Sequence, residues 1–416
     1  MEKPHSDPAQ YLKDFLFKEK NQGLLSLLRK VRDEIGGGLA RSNVFFVRVK
    51  ASNANSRVCF RKATIDAEVH RNNSNLKIIA PFAIFFIRGY ATLAGFLDER
   101  NPTAPQNVAE CQALQDLLQF LLANISEQSV LTENIKAKSA GELEAALAVR
   151  VAQHLLVPLA PHKTFRIDSY PGLELTGCCS GEHPMNGDRG DTSFGCRKGW
   201  HGRADILIGD EIPVTVVETG GDVGDPGGDV GDRDCVSLCS DSSAEIKKGE
   251  NFTPSSLSQI TAQTIVYSFI QKGKNPESVN SVVPGIGICS KKLIISMYDC
   301  VDDILVSTGP IDLHAQLGSY CNLNLRAIII LWLALNHDLF GNKTPKQYTK
   351  YTADFHKVLS PGQLEAYMNE SEQPFNERLD ENYPDKYFND LSEEASCYFD
   401  DILQHMTSTF PSVSLK

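Results

Sequence analysis

The sequence predicts an α/β protein with a mixed central β-sheet flanked by helices, an N-terminal α+β unit and an acidic helical C-terminal tail. Three observations lead there. Short runs rich in Val, Ile and Phe alternate with amphipathic helical runs through the middle of the chain. Turn residues separate the runs at short intervals. Charge segregates to the ends, with 14 Lys/Arg against 8 Asp/Glu in residues 1–72 and 4 against 13 in residues 351–416. The 416 residues, 42% apolar and 22% charged, have the balance of a globular chain, with room for about two to three domains.

Residues 8–35 place Leu12, Phe15, Leu16, Leu24, Leu25 and Leu28 at helical spacing, and Gly36-Gly37-Gly38 ends the run. Val44 to Phe85 reads as several short strands with Asn/Ser turns, and residues 107–125 as a helix. Ser139-Ala-Gly-Glu142 is a capping-box pattern that opens a helix running to about Leu156. Strands are expected at 163–170, 203–208 and 214–219, a helix at 255–271, a hairpin at 285–298, a strand near 303–307 and a helix at 322–340. The expected organisation is an N-terminal α+β unit at 1–130, an α/β domain at 139–340 and an acidic helical extension at 341–416. Two inserts interrupt the middle domain. Residues 176–201 are rich in Gly and Cys, and residues 220–243 repeat Gly-Asp-Val-Gly-Asp, an acidic linker with too little apolar surface to order itself.

The start of the chain is polar and acidic, without the apolar core of a signal peptide. Leu76 to Leu97 is the most apolar stretch. It contains Pro81 and Arg88, so it reads as a buried strand followed by a helix rather than a membrane span. The eleven cysteines are scattered and read as free thiols in a reducing compartment, which sets the expectation of an intracellular protein, nuclear or cytoplasmic. A net charge of −11 argues against a polyanionic partner, but the basic front leaves room for a phosphate-binding face. No Gly-x-x-x-x-Gly-Lys loop occurs, and no Ser/His/Asp set follows from spacing.

The chemistry-bearing residues gather in the middle. Gly202-Arg-Ala-Asp205-Ile-Leu-Ile leads through a turn into Pro213-Val-Thr-Val-Val-Glu218. Pro213 has no N–H to give a ladder, so the second strand is expected to begin after it. If Ile208 faces Thr215, Asp205 lies opposite Glu218 on one face, and two carboxylates there can hold a hard divalent cation. On the helix opened by Ser139, Glu144 lies within the apolar arc, where an acid is costly unless paired or metal-bound; Glu142 belongs to the capping box. On the later helix Gln263 and Tyr267 stand one turn apart, so an amide and a hydroxyl can bond metal ligands or a phosphate oxygen.

An acid on a helix, a strand, Asp on the next strand, Glu on the following one and then Gln263-Thr-Ile-Val-Tyr267 resembles the PD-(D/E)XK nuclease superfamily, in its RecB-like QxxxY branch. The resemblance covers residues 139–340. It implies a restriction-endonuclease-like core and metal-dependent cleavage of DNA or RNA. Asp205 and Glu218 would ligate Mg²⁺ or Mn²⁺, Glu144 would assist, and Gln263 and Tyr267 would orient the site or substrate. The chain departs from the pattern at Glu218-Thr219-Gly220, where the motif lysine is absent. Lys247, followed by Lys248, comes after the acidic insert and could reach back as a movable point charge, or Glu245-Ile-Lys247 could itself be the displaced motif. The alternative is a catalytically inactive nuclease fold acting as a nucleic-acid-binding or regulatory module. Cys178, Cys179, His183, Cys196 and His201 crowd one loop, but their gaps do not match a zinc ribbon, so Zn²⁺ is not expected.

Overall fold

The computed structural model describes residues 7–36, 42–126, 144–168, 187–209, 211–217, 252–278, 280–289, 291–314 and 324–375. The front of the chain forms helices α1 (Pro8–Phe17) and α2 (Gln22–Gly36), then strands β1 (Asn43–Ser52), β2 (Val58–Cys59), β3 (Ile65–Val69) and β4 (Ile79–Pro81), then helices α3 (Ile87–Phe96) and α4 (Val108–Ser126). Helix α5 (Glu144–Val151) runs on through a π-helical turn at Ala152–Leu156 to Val157–Leu159. Next come β5 (Phe165–Asp168), β6 (Gly187–Gly190), β7 (Ser193–Cys196), β8 (Trp200–Arg203), β9 (Ile206–Ile208) and β10 (Ile212–Val217). Helix α6 (Pro254–Lys274) precedes β11 (Val282–Cys289), β12 (Lys292–Asp299), β13 (Ile304–Ser307) and β14 (Ile311–Asp312). Helices α7 (Leu325–Leu335), α8 (His337–Phe340), α9 (Phe355–Val358) and α10 (Pro361–Asn369) lead to β15 (Ser371–Glu372).

Among the described residues a mixed 11-stranded sheet runs β3-β1-β13-β12-β11-β10-β9-β5-β6, with β4 on β1 and β14 on β12. The β10–β11 pair is parallel because α6 carries the chain across between them; the pairs from β11 to β13 are antiparallel, as short turns require. A smaller sheet, β15-β7-β8-β2, lies apart from it.

Alternation along the strands builds two cores. Ile206, Ile208, Ile212, Val214 and Val216 face one, which also holds the apolar stripes of α1 to α5 and all of α7. Leu207, Val283 and Tyr298 face the other, beneath α6, the small sheet and the 353–367 segment. Helix α6 is buried from Ser256 to Ile270, except for the half-buried Gln259, because it lies between the two sheets. Thr253 starts it with a reciprocal cap to Ser256, and Pro254 fills the first helical position, where no N–H is needed. Gly285 and Gly287 let α6 sit close on β11: a Cβ at Gly287 would collide with Ile260 Cδ1.

Several sequence expectations change here. Residues 1–130, read as a separate unit, share both sheet and core with the middle of the chain, since β1 pairs antiparallel with β13. The second half of the 176–201 insert is a buried hairpin, because Phe194 and Trp200 seat themselves in the second core. The 8–35 helix is broken by a 3-10 turn at Glu19–Asn21. Strand β10 begins before Pro213: the missing N–H is harmless because pairing with β11 starts only at Val214. Ser139, Glu142, the 220–243 linker and the tail from 376 lie outside the described residues.

Candidate functional site

The β9–β10 hairpin turns tightly over Gly209 to Glu211, with Gly209 at φ 59° and the Glu211 N–H donating to the Ile208 carbonyl at 2.9 Å. Ile208 therefore faces Ile212, not Thr215. This corrects the expected register by three positions, and it carries Asp205 to the level of Thr215 instead of Glu218. Glu218 and Lys247 lie outside the described residues, as does the side chain of Glu144, whose backbone opens α5.

Asp205 stands half-buried just before β9. Its Oδ2 accepts the Val216 N–H at 2.7 Å, and its own N–H donates to the Val214 carbonyl at 3.2 Å. The carboxylate thus closes the end of the hairpin where the regular ladder stops. Across the other edge, Ile167 pairs with Ile206, and the Asp168 N–H donates to the Asp205 carbonyl at 3.0 Å. The backbone of Asp168 is therefore joined directly to that of Asp205. Arg203 lies 2.8 Å from Asp168 Oδ1 and 3.3 Å from Asp191 Oδ1, so a half-exposed guanidinium offsets both.

Gln263 reaches this end from α6. Its Nε2 donates to the Arg203 carbonyl at 3.1 Å, and its Oε1 accepts the Thr215 hydroxyl. Buried on all sides, it clamps the helix to the last residue of β8 and to β10. Tyr267 points elsewhere: it packs edge-on against Phe194 and donates its hydroxyl to Gln373 Oε1 at 2.8 Å. The stripe that joins the two residues on the helix therefore serves two places, the Asp205 end of the hairpin and the strap that ends in β15.

The turn end of the same hairpin carries a second cluster. Lys163, 6% exposed, donates from Nζ to Glu211 Oε2 at 2.9 Å and Asp338 Oδ1 at 2.7 Å. Burial, then the neighbouring ammonium, holds the His337 imidazole down to a pKa of about 3, so it is neutral. Its Nδ1 is buried without a partner among the described residues. Oxygens of Glu211 and Asp338 and a ring nitrogen of His337 lie within 4.8 Å of one another, a spacing that one cation could bridge. The buried Lys163 ammonium already bridges the partly exposed carboxylates, so this group is an ion cluster at the edge of the core.

Cys196 and His201, from the thiol-rich loop, are packing residues. Burial raises the Cys196 thiol pKa, and His201 stacks on Phe375 at 5.1 Å while one ring nitrogen meets the Gly199 carbonyl. Cys178, Cys179 and His183 lie outside the described residues. No described helix is long and apolar enough to cross a membrane. Sequence reading missed Asp168, Arg203 and the Lys163 cluster. Asp168 could have been found as a strand-end acid, but its place beside Asp205 depends on a β5–β9 register that no local signal specifies. No family model, curated protein or solved structure matches the chain.

Proposed function

We propose that the chain is a metal-dependent nuclease-like protein, hydrolysing phosphodiester bonds of DNA or RNA at the open end of the β9–β10 hairpin. One observation carries this reading. In the series helix α5, strand β5, antiparallel hairpin β9–β10, helix α6 and parallel strand β11, Asp205 sits at the open end of the hairpin and Gln263 of α6 clamps that end. This follows the element order of the PD-(D/E)XK resemblance, and Gln263 bonds Thr215, the residue level with Asp205.

The donor set of the reading is carboxylate oxygen from Asp205, with Glu218 and Glu144, which suits Mg²⁺ or Mn²⁺. Such an ion would neutralise charge on the phosphate and activate water. Arg203, exposed and 2.8 Å from Asp168, supplies positive charge at the same edge. In this reading Lys247 takes the place of the absent motif lysine.

The test is cleavage of single- and double-stranded DNA and RNA in Mg²⁺ or Mn²⁺ by the pure chain and by Asp205→Asn. Asparagine still accepts the Val216 N–H, so the hairpin stays closed while the ligand charge is removed. Metal-dependent cleavage lost in the variant supports the reading. Cleavage by both proteins alike is contamination and sinks it.

A second reading, a nuclease fold kept as a non-catalytic nucleic-acid-binding or regulatory module, is favoured by Gly220 at the motif-lysine position and by the Asp205 carboxylate's bond to a backbone N–H. Absence of cleavage on every substrate selects it.

A further inference from the structure

Three segments far apart in the chain meet at the turn end of the β9–β10 hairpin. Glu211 sits in the turn itself, Lys163 just before β5, and His337 and Asp338 open α8. The Gly209 N–H donates to the Thr164 carbonyl at 2.7 Å, which draws the turn onto the Lys163 stretch. Helix α8 is fixed from both ends. The Asn336 side-chain amide donates to the Trp332 carbonyl at 2.8 Å, and the Phe340 ring packs 4.9 Å from that of Trp332 in the core. His337 and Asp338 therefore stand on well-held backbone.

The Lys163 ammonium accounts for the two carboxylates but leaves the histidine unexplained. His337 is 8% exposed, and its Nδ1 has no hydrogen-bond partner among the described residues. A buried ring nitrogen left unbonded is costly, and it points to a ligand that the protein groups do not supply. The ring is aimed at the acids: one of its nitrogens and one oxygen each of Glu211 and Asp338 lie within 4.8 Å of one another. The imidazole is neutral, as a metal ligand must be.

One nitrogen and two carboxylate oxygens suit a first-row transition metal, whereas Mg²⁺ and Ca²⁺ prefer oxygen alone. A tetrahedral ion with bonds of about 2.0–2.2 Å holds its ligand atoms roughly 3.5 Å apart, so the donors have to draw together. Glu211 and Asp338 are free to do so, because their side chains are 34% and 46% exposed.

We propose that Glu211, His337 and Asp338 form a binding site for a divalent transition-metal ion of the Zn²⁺ class, and that this ion competes with the Lys163 ammonium for the same two carboxylates. Either cation clips the hairpin turn to α8. The metal adds the imidazole to the clip, and the exposed sides of the two acids leave it a coordination position for water. The ammonium has to withdraw as the ion enters, since two positive charges a few ångströms apart repel. The site lies at the other end of the hairpin from Asp205 and needs no turnover there.

The test uses Co²⁺, a spectroscopic stand-in for Zn²⁺, titrated into the pure, reduced chain and followed by absorption and calorimetry. Cysteine-bound Co²⁺ gives an intense sulfur-to-metal band in the near ultraviolet that nitrogen and oxygen ligands lack, which separates uptake by thiols elsewhere. Wild type is expected to take up Co²⁺ without that band. His337→Gln and Glu211→Gln weaken this uptake by about a hundredfold or more, and Lys163→Met tightens it by about tenfold or more. Zn²⁺ raises the thermal midpoint of wild type and not of His337→Gln.

No uptake by wild type, uptake indifferent to His337→Gln or to Glu211→Gln, unchanged affinity in Lys163→Met, or a sulfur band on all the bound Co²⁺ overturns the proposal. Should Lys163→Met not fold, the other two variants decide. Failure here is distinguishable from failure of the nuclease-like reading. Asp205→Asn keeps the His337-dependent uptake whether or not the chain cuts nucleic acid.

Discussion

The two ends of the β9–β10 hairpin hold their acidic groups through different described partners. At the turn end, Glu211 and Asp338 share the ammonium of Lys163, and the neutral His337 is packed beside them. At the open end, the Asp205 carboxylate accepts a backbone N–H from Val216, and the nearby guanidinium of Arg203 goes to Asp168 and Asp191. At the turn the charges depend on one another, so removing one partner destabilises the cluster. A carboxylate held by a peptide N–H has its orientation set in advance, which serves a metal ligand and a purely structural hairpin closure equally. On the proposed reading, chemistry belongs to the open end and anchoring to the turn.

The comparison is broken most sharply by Asp205→Asn. Under the nuclease-like reading, metal-dependent cleavage falls by on the order of a hundredfold or more, while the thermal midpoint stays near wild type. A large loss of stability with cleavage unchanged would reverse the roles of the two ends. Lys247→Ala sharpens the same point. If that ammonium substitutes for the motif lysine, kcat falls while KM holds, and an unchanged kcat removes it from the site.

At the turn end, Lys163→Met leaves two carboxylates facing each other without a cation. Urea denaturation should show a loss of about 2–3 kcal/mol, below the full cost of breaking a buried pair because Asp338 is half-exposed. Between the ends, Gln263→Leu orphans the Arg203 carbonyl and the Thr215 hydroxyl and should destabilise by about 1–3 kcal/mol.

The acid response should come from the turn as well. The His337 pKa is about 3 in the fold against an ordinary 6.5, mainly through burial and then through Lys163. The unfolded chain therefore binds the extra proton first. The stabilisation is complete above pH 6.5 and is lost as pH falls toward 3, at up to about 1.4 kcal/mol per pH unit. Urea midpoints measured down this range in wild type and His337→Gln should converge if the imidazole is responsible; parallel curves would exonerate it. Smallest of all, Arg203→Ala removes half-exposed ion pairs and should cost about 0.5 kcal/mol or less.

Strong local periodicity made α4, α6, the β11–β12 hairpin and α7 legible in the sequence. Asp205 and the Gln263–Tyr267 pair were equally legible as residues of interest. Their relations were less so. A compact glycine turn moved the hairpin register by three residues, Pro213 proved compatible with a strand whose second partner begins one residue later, and Tyr267 serves the β15 strap. Asp168 reached the Asp205 end through pairing across a span of nearly forty residues, which no window of sequence contains, and there meets the locally adjacent Arg203.

Taken alone, the amino-acid order determined which segments become helix or strand, and it segregated charge along the chain, because both are set by nearest-neighbour sterics and local composition. Tertiary structure decided that β1 joins β13, that Lys163 meets Glu211 and Asp338, and that His70 meets the Thr352 carbonyl across most of the chain. Those outcomes arise from strand order, register and the burial of apolar faces against one another. They are long-range balances that only the assembled core can settle.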